Sequence, residues 1–373
     1  MQTNVLTLFL CGDVMTGRGI DQILSHPSDP AIREPYMRSA AGYVTLAEDV
    51  NGPIPAPAGP AYIWGDALAE LDRFRPDVRI INLETSVTRS GELWAGKGIN
   101  YRMHPGNASC LTAAGIDICS LANNHVIDWG FSGLAETLDT LRRARILFAG
   151  AGRNAAGAAA PAIFETGGSR RVIVFAGGTE SSGIPPSWAA RPDHAGVWLL
   201  PDLSPRTAED IGARVREVKT PGDIVVFSIH WGGNWGYAIP PEHVRFARAL
   251  IDRAGIDIVH GHSSHHALGI DVYRHKPILY GCGDFINDYE GIGGYEEFRG
   301  DLSLMYFVRM DTGGNLSGLS LTPLRMRRFQ VRHASEGDAR WLRDMFAREG
   351  ARFGTRVEQD DERRLVLQWE EES

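Results

Sequence analysis

Six short apolar, β-branched runs in this chain each stop at a cluster of Gly, Asn, Asp, Glu or His. Leu6 to Leu10 ends in Cys11-Gly12-Asp13, Val78 to Ile81 in Asn82-Leu83-Glu84, and Ile116 to Leu121 leads to Asn123-Asn124-His125. Ile224 to Ile229 ends in His230-Trp231-Gly232-Gly233, Ile256 to Val259 in His260 through His266, and Pro277 to Tyr280 in Gly281-Cys282-Gly283-Asp284. Continuous apolar runs bounded by glycine predict strands buried on both faces. A sheet buried on both faces needs helices or a second sheet over it, which makes the chain an α/β protein.

The helical patterns fall between those runs. Ser132 is positioned to cap a helix that carries Leu134, Leu138 and Leu141 on one face, with Arg142 and Arg143 at its end. Pro241 opens another, which Gly255 stops. Beyond residue 300, Leu302 to Met310 predicts a strand and Leu319 to Leu324 its antiparallel partner. An amphipathic helix follows from about Glu336 to Arg348. The expected organisation is a catalytic domain over 1–325 and a helical, charged extension over 326–373 packed on it. Two loop insertions interrupt the domain. Residues 26–65 are rich in Pro and Gly and are expected to hold no regular element, and 86–107 has the make-up of a substrate-facing lid.

Composition narrows the function classes. A net charge of −8 over 373 residues supplies no basic field for nucleic acid or an anionic membrane. Cys11, Cys110, Cys119 and Cys282 form no Cys-x-x-Cys pair, and buried free thiols in a reducing compartment are expected. Met1-Gln2-Thr3-Asn4 leads straight into the first strand without the make-up of a signal peptide, and no stretch is apolar enough to span a bilayer. The expectation is a cytoplasmic protein with a peptide or small-molecule substrate. Gly150-Ala151-Gly152 is too short for a dinucleotide fingerprint, and no Gly-x-Ser-x-Gly elbow occurs.

Polar residues at the carboxyl ends of such strands converge on one edge of the fold. Asp13, Glu84, Asn124, His230, His262 and either His265 or His266 all stand there. One Asp or Asn after a strand is an ordinary turn former, and the argument rests on so many strand ends finishing alike. Carboxylate, amide oxygen and imidazole suit a divalent cation such as Mn, Ca, Zn, Fe or Mg, with one or two ions held. Trp231 and Trp235 serve equally well as pocket wall or as core.

These blocks resemble the poly-γ-glutamate capsule-assembly (CapA-like) family within the calcineurin-like metallophosphoesterase superfamily. The resemblance rests on Gly12-Asp13-Val14-Met15, Asn82-Leu83-Glu84-Thr85, Leu121 to His125, His230 to Gly233, His260 to His266 and Tyr280 to Phe285. It implies a four-layer α/β/β/α sandwich with two central mixed sheets and a metal site at one edge. It also implies that Asp13 ligates one metal, Glu84 bridges, Asn124 and His230 hold the second, and His262 with His265 or His266 completes the set. His125 matches the proton donor of the phosphoesterases. The first superfamily motif is Asp-x-His, whereas Met15 stands at the histidine position here, and a thioether is a poor ligand for a hard cation. Members that build capsule are generally tied to the membrane, so the missing anchor sets an expectation against capsule assembly.

The expected chemistry is metal-assisted acid/base catalysis on a peptide or γ-glutamyl-type substrate, either epimerisation of a Cα centre or amide hydrolysis. His125 and a histidine from His262 to His266 are the candidate acid and base, oriented by Asp128, Asp284 or Asp288. The lid offers Lys97, Asn100, Tyr101 and Arg102 to the substrate, with Lys97 and Arg102 suited to a carboxylate. The alternatives are phosphoester hydrolysis and a metal-containing binding protein without turnover.

Overall fold

The computed structural model describes residues 5–167 and 170–370, so the amino-terminal residues on which the signal-peptide expectation rests lie outside it. Two mixed sheets form the centre. The first has the strand order Thr355–Gln359, Leu365–Trp369, Leu316–Met326, Leu302–Met310, Leu6–Val14, Val78–Leu83, Ile118–Ser120, Leu147–Ala149. Asp284–Ile286 pairs beside Leu6–Val14, and Val331–His333 beside Leu316–Met326. The second has the order Ile270–Tyr273, Lys276–Leu279, Ile258–His262, Ile224–His230, Arg171–Gly178, Ala162–Glu165, parallel in its middle and antiparallel at both edges.

Side-chain alternation explains why the strand sequences lack polar positions. Leu8 and Leu10 pack in one core with Val174 and Val226 of the other sheet, whereas Phe9 and Cys11 face outward against helices. Ala41–Asn51, Ala67–Phe74 and Gly130–Arg143 cover that outer face through Tyr43, Leu71, Leu134 and Leu138. Pro205–Val218 and Pro241–Ala254 cover the other sheet through Ile211, Val215, Phe246 and Leu250. The result is the expected four-layer α/β/β/α sandwich, with its apolar residues split among three cores. All four cysteines are buried free thiols.

Several sequence expectations change. Residues 26–65 contain the helix Ala41–Asn51, which buries Tyr43 and Ala47 one turn apart and stops at Gly52 before the proline run. The high Pro and Gly content of the window hid it. Helix Gly130–Arg143 starts ahead of Ser132, which is not its cap and donates to Glu92 instead. The loop 86–107 is pinned by two short parallel strands, Ser86–Val87 and Arg102–Met103. The segment after residue 326 is not only helical: Thr355–Gln359 and Leu365–Trp369 extend the first sheet, and Leu342, Met345 and Phe346 of helix Glu336–Gly350 enter the core between the sheets.

Gly255 ends its helix at φ 70, and no atom of the described residues lies where a Cβ would project. A Gly255→Ala variant therefore meets backbone strain alone, and should lose about 1 kcal/mol of stability. A lower urea midpoint at unchanged slope is the expected result. Among the described residues no helix is long and apolar enough to cross a membrane.

Candidate metal centre

The strand tips meet in register. Asp13 lies opposite Asn82 on one side and Asp284 on the other, and His230 lies opposite His262 in the second sheet. Gly12 makes the first junction feasible, since a Cβ there would sit 1.6 Å from the Gly283 carbonyl oxygen. The closeness also lets the Asp13 N–H donate to that carbonyl at 3.0 Å.

Two overlapping groups of donors result. Asp13, His230 and His262 place ligand-type atoms within 4.8 Å of one another, and so do Asp13, His265 and Asp284. Asp13 belongs to both. Glu84 Oε1 lies 3.9 Å from His230 Nε2 and 3.8 Å from His125 Nε2, and Asn124 Oδ1 lies 3.1 Å from His230 Nε2. The structure therefore brings Asp13, Glu84, Asn124, His230, His262 and His265 to one place. His266 is elsewhere: its Nε2 accepts from the Gly236 N–H and its Nδ1 donates to the Ala267 carbonyl, so both nitrogens are engaged in holding the loop.

Two amides not foreseen as site residues build the scaffold. The Asn82 side-chain NH₂ donates to Asp13 Oδ1 at 2.7 Å and to Glu84 Oε2 at 2.9 Å. Asn82 in turn accepts from Asn123, whose own Oδ1 accepts the His125 N–H. The signal was present in the sequence, because Asn82 and Glu84 are two residues apart and share one face at the end of a strand.

The electrostatics favour a cation. Burial and the neighbouring Asp284 push the Asp13 carboxyl up to about 7. Burial, then Asp13, raises Glu84, and burial raises Asp284. Burial holds His230 and His262 below the usual imidazole range. His265 goes the other way: burial opposes its protonation, but the Asp284 carboxylate 2.8 Å from Nδ1 more than offsets this. Among the described residues, Asp13 Oδ2 is buried with no hydrogen-bond partner. Three buried carboxyl groups, the neutral imidazoles of His230 and His262 and an unpartnered oxygen fit a hard or borderline divalent cation. Met15 is buried and accepts from Tyr289 OH at 3.5 Å, while Asp284 brings a carboxylate into the group of donors around Asp13.

His125 stands beside this centre. Its Nδ1 faces Asp128 Oδ2 at 2.7 Å, and Tyr101 meets its ring edge-on at 4.5 Å between centroids. Burial and Lys97 lower it to about 4. Lys97 donates to the Asp128 carboxylate and the Asn124 carbonyl, so it supports His125 and is not free for a substrate carboxylate. Arg102 donates to the carbonyls of Ser90 and Asp29 and lies over Trp129, tying the loop down. Asn100 and Tyr101 are buried, and the Tyr101 hydroxyl donates to Tyr289. Trp231 is core: it donates to the Tyr280 carbonyl and stacks on His243. Trp235 is half-buried, stacked on Tyr295 with centroids 4.2 Å apart, and lies 5.3 Å from the His265 ring.

A two-sheet α/β sandwich with a carboxylate, amide and imidazole centre at its strand tips is the class that fold and site define. The chain belongs to the bacterial capsule synthesis protein PGA_cap family, whose model matches residues 7–289. It is 52% identical over 356 residues to a probable polyglutamine synthesis accessory protein of Mycobacterium tuberculosis, covering 95% of this chain and 93% of that one. It is 23% identical to the capsule biosynthesis protein CapA of Bacillus anthracis, covering 86% and 68%. The PGA biosynthesis protein CapA of Bacillus subtilis is 27% identical, covering 65% and 60%. Among solved structures, a 5'-nucleotidase precursor from Thermus thermophilus superposes with a TM-score of 0.46 at 17% identity, covering 92% of this chain and 58% of that one.

Proposed function

We propose that this chain is a metal-dependent enzyme that performs acid/base chemistry on a peptide or γ-glutamyl-type substrate. Asp13, His230 and His262, with Asn124 and Glu84, would hold one cation, and Asp13, His265 and Asp284 a second. A bound cation would supply positive charge to a carbonyl oxygen on which negative charge develops. The observation that carries the reading is the placement of His125. Its Nδ1 is held by Asp128 and its Nε2 faces Glu84 and the donor cluster, so Nε2 is the atom able to take or give a proton there. Lys97 offsets the Asp128 charge, which favours a neutral imidazole at pH 7. His265 is assigned to the cation, which leaves His125 as the proton-transfer residue.

The relatives' names support a glutamate- or glutamine-based polymer as the substrate class and a role in polymer or capsule synthesis, contrary to the sequence expectation. One observation favours phosphoester hydrolysis as a second reading: the two donor groups share Asp13, an arrangement able to hold adjacent ions. The test is incubation of Mn²⁺-loaded protein in D₂O with γ-glutamyl and α-linked glutamate or glutamine peptides. Deuterium at one Cα, or release of a free amine, should appear and should vanish in His125→Ala. Turnover of phosphate esters alone, with peptides untouched, would replace this reading by the second.

A further inference from the structure

Strands Ile224–His230 and Ile258–His262 run parallel in a register that places Ser228 opposite His260 and His230 opposite His262. Side chains two residues apart share a face, so the four form one buried cluster. Their hydrogen bonds run in a line. His260 Nε2 lies 2.8 Å from the Cys11 carbonyl of the other sheet, and its Nδ1 lies 3.2 Å from Ser228 Oγ. Ser228 Oγ lies 2.8 Å from His262 Nε2, and His262 Nδ1 lies 2.7 Å from His230 Nδ1. All four residues are at most 1% exposed.

Only one placement of hydrogens satisfies this line. A carbonyl oxygen can only accept, so His260 carries its hydrogen on Nε2. Among the described residues the hydrogen-bond partners of His260 are a carbonyl and a hydroxyl, with no carboxylate to compensate a buried charge, so the ring is neutral and Nδ1 accepts. The Ser228 hydroxyl therefore donates to His260 and has only lone pairs left for His262. His262 must place its hydrogen on Nε2, which leaves Nδ1 as its bare nitrogen, on the side of the neighbouring donor His230.

We infer that Ser228 and His260 are positioning residues that fix the tautomer of His262, so that Nδ1 is the atom it offers to a cation. The inference rests on the metal-binding part of the proposed function and adds the device that orders one ligand from behind. Outer partners of this kind orient the ligating ring and set its basicity, and losing one typically costs 10–100-fold in metal affinity.

The test is Mn²⁺ titration by calorimetry of wild type, Ser228→Ala and Ser228→Thr, together with ¹⁵N NMR of the histidine rings in metal-stripped protein. Ser228→Ala should bind Mn²⁺ about 10–100-fold more weakly, and Ser228→Thr, which keeps the hydroxyl, should recover most of the affinity. In the wild type the NMR should show hydrogen on Nε2 and a bare Nδ1 at His262, and Ser228→Ala should mix the tautomers. Affinity within twofold of wild type in Ser228→Ala, or a wild-type His262 with hydrogen on Nδ1, overturns the inference. A wild type that takes up no Mn²⁺ defeats the metal reading, and the spectrum still decides the tautomer.

Discussion

Replacing Arg18 with methionine is expected to lower the folding free energy by about 3–5 kcal/mol, read as a large drop in urea midpoint at pH 7. Arg18 is buried at φ 49, a left-handed conformation uncommon outside glycine. Its Nε donates to Asp288 at 3.1 Å, its Nη2 also reaches that carboxylate, and its Nη1 donates to Glu34 at 3.1 Å and to Tyr43 at 3.0 Å. The guanidinium also lies over the Tyr43 ring at 3.9 Å and the Tyr101 ring at 4.5 Å. Methionine fills similar space but strands two buried carboxylates, Glu34 and Asp288, which is the costly way to break such a network. Lysine should recover only part of the loss, because a single ammonium cannot replace a fork that serves several partners at once. The effect reaches the site as well: Tyr101 is packed between Arg18 and His125, so the variant should also broaden the His125 ring signals. A loss below about 1 kcal/mol would show that water compensates the carboxylates and that the network adds little.

What the sequence disclosed follows from how each residue comes to hold its position. The tips Asp13, Glu84, His230 and His262 were legible because strands buried on both faces are written as unbroken apolar runs, and their ends stand out. Strand Arg171–Gly178 lies inside the second sheet, next to one edge, but ends in two glycines, so nothing at its tip drew attention. The choice between His265 and His266 was not legible. Adjacent residues project in different directions, and only the packing of Trp235, Tyr237 and Phe298 around His266 shows which one turns away from Asp13. Lys97 and Arg102 were misjudged for a related reason. A cation in a glycine-containing loop suits a substrate carboxylate until the loop closes on partners from distant sequence, here Asp128, Asn124, Ser90 and Asp29. Arg18 and Ser228 gave no signal, since their roles exist only through residues as far as 270 and 34 positions away.

Asp13→Asn should give opposite results with and without metal. The amide keeps the shape of the carboxyl and can still accept from Asn82, so the fold has no reason to fail. In the metal-stripped wild type the Asp13 carboxyl is raised from 3.8 to about 7, so the native state holds its proton more tightly than the unfolded chain. Stability therefore falls as pH rises from about 4 through about 7, and every tenfold difference in proton affinity between the two states is worth about 1.4 kcal/mol. The asparagine variant lacks that titration and should be the more stable protein at pH 8 in a chelator, by a few kcal/mol. Mn²⁺ should reverse the order. A ligand at about 100 times its Kd stabilises by about 2.7 kcal/mol, and the wild type should gain this while the variant gains almost nothing, since Asp13 belongs to both donor groups. Melting curves at pH 5 and pH 8, with Mn²⁺ or with chelator, separate the cases. A variant that is stabilised by Mn²⁺ as strongly as wild type would mean that the cation sits elsewhere. A variant no more stable than wild type in chelator would mean that the three carboxyl groups do not strain the fold. The strain and the affinity have one physical source: negative charge gathered at Asp13, Glu84 and Asp284 costs stability until a cation occupies the centre.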